Sequence, residues 1–330
     1  MVTPDSQDRT VILIPMFNDW ESAELLLSDL DRAFAQHAMS PEVLFIDDGS
    51  TRPLPPGFGN RPFTALRSID ILQLRRNLGH QRAIAVGFVF VYQNLPCRAV
   101  VVMDADGEDR PADIPLLAAK FDQEGQRSII FAARAKRLER LWFRFLYHVY
   151  RLLHWFLTGE GVRVGNFSIV PFQALAKLVV VPEIWYHYAA AVIRSGVCSQ
   201  SIPIARGKRL AGNSKMNFIA LLLHGLSAFF VYGDILGARL LVSIAAVLTL
   251  GGALAATGIV VHYTTSLVIP GLLAYLVGIL GMVFLQAILI ALILVFTVIG
   301  GRANLGFLPL RDCPYFVSGV RRIFPQPNRT

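Results

Sequence analysis

The chain has 330 residues, of which 54% are hydrophobic and 16% are charged, and its formal net charge at pH 7 is +8. Soluble domains carry about a quarter charged residues, so the composition argues against a wholly soluble protein and predicts a membrane-embedded part. The three cysteines are widely spaced and match no metal-ligand pattern, which argues against a disulfide framework and against a cysteine metal site.

The N-terminal segment is polar, and its first apolar run, residues 11–16, is too short for a signal peptide. We therefore expect the N-terminal domain to remain in the cytoplasm. The sparse cysteines agree with a reducing compartment.

The first part of the chain, to about residue 135, alternates between strand and helix patterns. Short apolar runs rich in β-branched residues predict strands, and amphipathic segments predict helices. This pattern predicts an α/β fold with a largely parallel sheet covered on both faces. The predicted strands are 10–14, 42–46, 68–74, 98–103 and 128–132, and the predicted helices are 20–37, 81–93 and 111–124, with a loop over 52–62.

Residues 137–157 form a helix pattern of another kind. Aromatic and aliphatic side chains recur every three or four residues, and arginines line the opposite side. Such a helix suits an anionic membrane surface, and an ordinary surface helix of the domain is the alternative. Residues 216–237 are a second interfacial candidate.

The apolar runs become long beyond Arg239. Residues 240–261 carry no charge, and as a helix they would span about 33 Å, enough to cross a bilayer core. A second uncharged run covers 267–301, where Pro270 and Gly271 place the helix start near Leu272. The sequence thus predicts a transmembrane hairpin over 238–301.

The flanks of this hairpin predict its orientation. Lysines and arginines precede the first span and follow the second, whereas the connecting turn carries neither. The positive-inside rule therefore places both ends in the cytoplasm, with a basic tail over 302–330. Gly252 and Ala256 have a spacing that permits helix association and hence a homo-oligomer.

Three polar segments follow predicted strands: PMFND over 15–19, DDGS over 47–50 and DADGED over 104–109. In an open parallel sheet, ligands bind outside the carboxyl ends of the strands. Each segment alone is an ordinary turn sequence. Their occurrence at three corresponding strand ends predicts one binding site.

The third of these segments predicts a metal site. In an extended chain, residues i and i+2 project to the same side, so Asp104 and Asp106 would present carboxylates together, with Glu108 completing the set. If the ligand is a nucleotide-sugar, its diphosphate is negatively charged and the carboxylates cannot bind it directly. A divalent cation would then bridge the carboxylates and the diphosphate. Asp47 or Asp48 would then reach the base of a nucleotide-sugar.

Five motifs occur in one order: IPMFND (14–19), DDGS (47–50), RNLGHQRA (76–83), DADGEDRP (104–111) and RGKRLAGNSKM (206–216). This set resembles the dolichyl- or polyprenyl-phosphate glycosyltransferases of glycosyltransferase family 2, some of which carry a two-helix membrane anchor. The resemblance implies a Rossmann-like GT-A domain over 1–215, a UDP- or GDP-sugar donor, Mg²⁺ or Mn²⁺, and inversion at the anomeric carbon.

The resemblance also implies residue roles. The metal and donor-phosphate loop would use Asp104, Asp106 and Glu108, although relatives usually have Gln at the last position. Arg134 falls where an arginine binds donor or acceptor phosphate, and with Asp106 and Arg209 it forms the catalytic set. The nucleotide contacts implied are Pro15, Phe17, Asp19 and Asp47, beside Asp48, which the DDGS loop itself makes a candidate. The acceptor contacts implied are Arg206, Arg209, Ser214 and Lys215, for which ordinary positive charge ahead of a span is the alternative.

Asn166 marks a departure from the family pattern, because relatives often have Asp at this position in the Gly-Asp-Phe-Arg motif. A transferase that acts on a hydroxyl group would use such an acid as general base. A phosphate is already an anion and needs only positioning by arginines, so Asn166 favours a lipid-phosphate acceptor. Glu160 and Glu183 remain alternative bases, and the histidines, His80 among them, are interpreted as surface residues.

The leading hypothesis is therefore transfer of one sugar from a nucleotide-sugar to polyprenyl phosphate at the cytoplasmic membrane face. A transferase to a hydroxyl acceptor on a glycolipid or polysaccharide is the first alternative. A non-catalytic membrane scaffold with the GT-A fold is the second. Nucleic acid is not expected as a partner, because the basic residues cluster beside the apolar spans, where anionic lipid supplies the countercharge.

Overall fold

The structure is a computed structural model, and it describes residues 9–37, 39–134, 165–205, 207, 209–210, 231–264, 272–303 and 307–325. These residues divide into two compact units. The first is an α/β domain that also includes the C-terminal segment from Phe307, and the second contains two long apolar helices.

A mixed sheet of eight strands forms the centre of the first unit. The strands are β1 (Thr10–Met16), β2 (Glu42–Asp47), β3 (Ser68–Leu74), β4 (Ala99–Val102), β5 (Ile129–Arg134), β6 (Ser168–Pro171), β7 (Ser199–Ile204) and β8 (Val317–Phe324). Their order in the sheet is β7-β5-β6-β4-β1-β2-β3-β8. All run parallel except β6 and β8, so the sheet is mixed, which qualifies the predicted, largely parallel one.

Helices cover both faces of the sheet. Because successive strand residues point to opposite faces, Leu13 of β1 packs in one core with Phe88, and Ile12 packs in the other with Leu27. Every residue of β1 is buried, as expected for a strand covered on both sides. The helices of this unit are α1 (Trp20–Phe34), α2 (His80–Asn94), α3 (Ile114–Gln123), α4 (Phe172–Leu178) and α5 (Tyr188–Arg194).

The α/β fold class predicted from the sequence is confirmed. Each predicted strand and helix of the first 135 residues is present, with ends shifted by a few residues at most. The predicted helix over 111–124 divides into a 3-10 turn, Pro111–Asp113, followed by α3. The predicted helix over 137–157 lies outside the described residues, as does 216–230 of the second interfacial candidate.

The C-terminal segment was predicted to be a basic tail over 302–330, and this is wrong for Val317–Phe324. These residues form β8, which pairs antiparallel with β3 at the edge of the sheet. Arg322 donates two hydrogen bonds to the Asp70 carboxylate of β3, the longer one 3.0 Å from Nη2 to Oδ2. The domain therefore needs residues that come after both long helices.

The second unit contains α6 (Gly233–Thr264) and α7 (Leu272–Ala303), each of 32 residues. Their apolar stretches, Ile235–Thr264 and Val277–Val295, have mean hydropathies of 2.2 and 2.7 and are long enough to cross a membrane. The predicted helix start near Leu272 falls at the edge of the described residues, and Leu272 itself is helical. A last short helix, α8 (Pro309–Asp312), follows in the first unit.

Candidate active site

The strand order places three loops side by side. Strand β1 lies between β4 and β2, and its last pairs are Leu13 with Val102 and Met16 with Asp47. The three polar segments predicted to form a site follow these strand ends. They therefore meet at one rim of the sheet.

The loop after β1 carries the predicted nucleoside contacts. Pro15 is buried within the strand, whereas Phe17 and Asp19 are partly exposed at the rim. The Asp19 carboxylate accepts a hydrogen bond from the Ser22 hydroxyl (3.1 Å). Asp47 is buried and accepts from the backbone N–H of Ser50 at 2.9 Å, so it shapes the turn of the second loop.

Asp48, a predicted base contact, forms hydrogen bonds within the protein. Its side chain is buried, and its two oxygens accept the backbone N–H groups of Leu78 (2.7 Å) and Gly79 (2.8 Å). Burial raises the pKa of Asp48, while these two hydrogen bonds oppose the rise. Through these two hydrogen bonds Asp48 positions the segment that leads into α2.

The acidic loop over 104–109 is a tight turn and not the extended segment that the sequence analysis assumed. The Asp109 carboxylate accepts the N–H of Asp104 at 3.0 Å, and the Asp106 carboxylate accepts the N–H of Glu108 at 3.0 Å. Gly107 has φ +81, in the left-handed region that glycine favours. The argument that alternate residues share one side is therefore wrong here.

Three residues of a later segment, Gly207, Arg209 and Leu210, contact this acidic loop. Arg209 Nη2 lies 2.6 Å from Asp106 Oδ2, and backbone N–H groups of Gly207 and Leu210 donate to the carbonyls of Glu108 (2.8 Å) and Asp106 (2.9 Å). A Cβ atom at position 207 would lie 2.6 Å from the Gly107 carbonyl oxygen, so the approach requires glycine. One predicted acceptor residue, Arg209, thus contacts the predicted donor loop.

The structure describes only some of the other predicted acceptor residues and alternative bases. Arg206, Ser214 and Lys215 lie outside the described residues, as does Glu160. Arg134 is the last residue of β5, where its backbone pairs with Ile204 of β7. Glu183, an alternative base, forms an ion pair with Arg194 at 2.9 Å.

His80 was interpreted as a surface residue; it is exposed, and it also lies beside the acidic loop. It is the first residue of α2, and its Nε2 lies 3.2 Å from Asp104 Oδ1 and 2.9 Å from Asn166 Nδ2. Burial lowers the pKa of His80, but Asp104, with Asp109 and Asp48, outweighs burial, so the net shift is upward. The motif RNLGHQRA was the sequence signal that contained it.

Asn166 belongs to a hydrogen-bond chain that reaches the acidic loop through His80. Its Oδ1 accepts from Gln81 Nε2 at 3.1 Å, and Gln81 Oε1 accepts the N–H of Tyr188 at 2.7 Å. The buried Tyr188 hydroxyl lies 2.9 Å from the Ser168 hydroxyl. Asn166 is therefore held by α2, and Gln81 connects it to α5.

The donor set of the acidic loop fits a hard divalent cation. Such ions prefer carboxylate oxygens, and Mg²⁺ is commonly held by one or two carboxylates together with substrate phosphates and water. Asp104 and Asp106 supply two carboxylates on one turn. Within the described residues no group of three His, Cys, Asp or Glu side chains is arranged to hold a metal ion, so the protein alone offers no complete cage there.

Comparisons with known proteins found similar sequences and similar structures. The profile of a family described as "Glycosyl transferase family 2" matches residues 11–178, and two similar curated proteins are named undecaprenyl-phosphate 4-deoxy-4-formamido-L-arabinose transferase. The one from Klebsiella pneumoniae subsp. pneumoniae is 26% identical over 230 residues, which cover 67% of this chain and 67% of that protein. The one from Salmonella choleraesuis is 25% identical over 219 residues, covering 65% and 64%. The chain thus spans about two thirds of the length of these relatives.

Among solved structures, glucosyl-3-phosphoglycerate synthase from Mycobacterium tuberculosis is similar to this chain. That crystal structure is a complex with Mn²⁺, uridine-diphosphate and glucosyl-3-phosphoglycerate. It aligns with a TM-score of 0.48 and 13% sequence identity, covering 69% of this chain and 80% of that one.

Proposed function

Since the chain belongs to glycosyl transferase family 2 and is a glycosyltransferase, we propose that it transfers a single sugar from a UDP- or GDP-sugar to polyprenyl phosphate. The products are a polyprenyl-phosphate sugar and a nucleoside diphosphate. The relatives named above carry undecaprenyl phosphate in their names, which supports this acceptor class.

The contact between Arg209 and Asp106 carries the proposal. Both reactants are anions, a sugar diphosphate and a lipid phosphate, so the site must supply cations on both sides of the reacting carbon. The 2.6 Å ion pair brings a guanidinium onto the acidic donor loop. Arginine suits a phosphate because its fork of N–H groups matches two phosphate oxygens.

The donor side follows from the rim. Asp104 and Asp106, with Glu108 in the same loop, would hold a divalent cation, Mg²⁺ or Mn²⁺. When bound, this cation neutralises charge on the departing nucleoside diphosphate. Phe17 offers an aromatic face to the base, and Asp19 a carboxylate to a ribose hydroxyl.

The acceptor side needs no general base. An oxygen of the lipid phosphate attacks the anomeric carbon, the bond to the donor diphosphate breaks on the opposite face, and configuration inverts. The nucleophile carries no proton that must be removed, so a neutral Asn166 at the rim is compatible with this step. Arg209 orients the attacking phosphate, with Arg134, Arg206, Ser214 and Lys215 as further contacts.

A hydroxyl acceptor on a glycolipid or polysaccharide is the second candidate, and His80 favours it. Transfer to a hydroxyl requires a base near the reacting carbon. His80 is exposed, lies 3.2 Å from Asp104 Oδ1, and has a pKa that nearby carboxylates raise. A neutral imidazole at this place would accept the proton.

The two ends of the segment that contains the apolar helices support a membrane-bound enzyme. The apolar helices lie between Val231 and Phe307, and both of these residues belong to the first unit. A chain that leaves a domain, crosses a bilayer twice and returns to the same domain begins and ends on one side. With the positive-inside rule, that side is the cytoplasm.

The test of the proposed reaction is a panel of labelled nucleotide-sugars incubated with the purified full chain and Mn²⁺ or Mg²⁺, with undecaprenyl phosphate as acceptor in one series and a glycolipid in a parallel series. We expect a labelled lipid that mild acid releases, formed from one UDP- or GDP-sugar. Label transferred only to a hydroxyl acceptor such as a glycolipid would favour the second candidate. No product with any donor, while the protein stays folded, would overturn both.

Replacing Arg209 by alanine is expected to raise the KM for undecaprenyl phosphate roughly tenfold or more, with a smaller change for the nucleotide-sugar. The reason is that a bidentate phosphate contact is lost. Steady-state rates with each substrate varied in turn measure the two effects. Arg110→Ala is the matched control. Arg110 is an exposed arginine that directly follows the same loop, and it pairs with Asp113 instead of Asp106. A larger rise for the donor would place Arg209 on the donor side.

Replacing residues 233–306 by a flexible linker is expected to release the protein from membranes, because both apolar helices are removed. Truncation near Leu240 is a poorer test, since it also removes β8 and its bonds to β3. Extraction of membranes at high pH separates the two cases: the full chain stays in the pellet and the linker variant enters the supernatant. A linker variant that resists extraction would contradict the anchor.

A further inference from the structure

The ladder between β1 and β2 ends at the site rim. Met16 and Asp47 are its last pair, and the N–H of Asp48 donates to the Met16 carbonyl at 2.9 Å. Two residues further on, Asn18 has φ +53, a conformation that few residues other than glycine adopt and that asparagine tolerates. The main chain turns here, so backbone pairing between the two strands stops.

Asn18 continues the connection with its own groups. Its N–H donates to Ser50 Oγ at 2.9 Å, and its Oδ1 accepts the N–H of Arg52 at 2.8 Å. Its Nδ2 lies 3.0 Å from Thr51 Oγ1. One residue thus binds three successive residues of the loop after β2.

We propose that Asn18 is a positioning residue for the donor nucleotide. It fixes the loop of Phe17 and Asp19 against the loop that follows Asp47, and so holds the two loops in one arrangement at the rim. This inference rests on the proposed function, which puts the nucleoside at these two loops. Asparagine suits the place because its amide both donates and accepts and because it adopts a positive φ at low cost.

The rest of the second loop has independent support, so loss of Asn18 should not unfold it. Trp20 Nε1 donates to the Arg52 carbonyl at 3.0 Å, and the Trp20 ring packs on Phe58 with centroids 5.5 Å apart. Glu24 accepts the N–H of Gly59 at 2.8 Å. Removing the Asn18 side-chain amide therefore breaks the bonds to Thr51 and Arg52, keeps the backbone bond to Ser50, and leaves the bases of the two loops fixed.

Asn18→Gly is the informative substitution, since glycine adopts the positive φ and lacks the side-chain amide. We expect it to weaken binding of UDP or GDP, whichever the wild-type chain binds with Mn²⁺, roughly tenfold. The melting temperature and the KM for undecaprenyl phosphate should change little. Titration calorimetry on the full chain in detergent gives the affinity.

A double-mutant cycle with Thr51→Ala sharpens the test. If Asn18 acts through the second loop, the two substitutions together should cost less than the sum of their separate losses in affinity. Full additivity would overturn the inference, as would nucleotide binding by Asn18→Gly equal to wild type. An equal rise in the acceptor KM would also overturn it, because it would indicate general distortion. A wild-type chain that binds neither UDP nor GDP would overturn the proposed function itself. Binding by the wild-type chain is therefore measured before any variant.

Discussion

Replacing Asp106 by asparagine is expected to lower the rate of sugar transfer by about a hundredfold or more while the protein stays folded. The side chain is the centre of the acidic loop: its Oδ1 accepts the N–H of Glu108, and its Oδ2 pairs with Arg209 at 2.6 Å. An amide keeps the shape and the first hydrogen bond. It loses the charge that would hold a cation on one side and the guanidinium on the other.

The measurement is the transfer rate with saturating donor and undecaprenyl phosphate, combined with Mn²⁺ affinity from electron paramagnetic resonance. Asp113→Asn is the matched control, because Asp113 also pairs with an arginine, Arg110, and follows the same loop. We expect Asp113→Asn to keep its Mn²⁺ affinity and nearly all activity. Undiminished transfer by Asp106→Asn would remove the metal hypothesis from this loop.

The fold of the first 135 residues could be predicted because its strands are nearly continuous apolar runs. Buried strands such as β1 are hydrophobic on both faces and differ clearly from the helices that alternate with them. Strand β8 could not be predicted in this way. It lies at an edge, most of its residues are at least partly exposed, and it contains two arginines, so its sequence resembles a tail.

The site was predicted at the level of loops and less well at the level of side chains. Three polar segments after β1, β2 and β4 meet as expected, since strand ends of a sheet share one edge. The neighbours Asp47 and Asp48 have identical side chains, and only the path of residues 76–80 shows that Asp48 is used beneath the rim. His80 was missed for the same reason, because its contact with Asp104 joins positions far apart in the sequence.

A substitution beneath the rim is expected to have the largest effect on stability. Gly49 has φ +67, and a Cβ atom added there would lie 2.5 Å from the Arg76 carbonyl carbon and 2.6 Å from the Asn77 nitrogen. Both are main-chain atoms, and the segment that contains them is held by Asp48. Unlike the end of a flexible side chain, this neighbour cannot move aside without breaking those hydrogen bonds.

We therefore expect Gly49→Ala to lower the free energy of unfolding of the domain by about 3 kcal/mol or more. Part of this cost is the positive φ, which an alanine adopts with strain, and the larger part is the clash with the backbone. Gly57→Ala separates the two, because Gly57 has φ +84 and, apart from its chain neighbours, none of the described residues has an atom within 4 Å of the added Cβ. That control should cost only about 1–2 kcal/mol.

Thermal unfolding of the two variants in the same detergent measures the difference, and transfer activity at low temperature adds a second readout. If the alanine pushes residues 76–80 outward, His80 moves away from Asp104, and Gly49→Ala should lose activity even where it remains folded. Gly57→Ala should retain it. Equal melting temperatures for the two variants would show that residues 76–80 can move away from Gly49 at little cost. Asp48 would then not fix the start of α2.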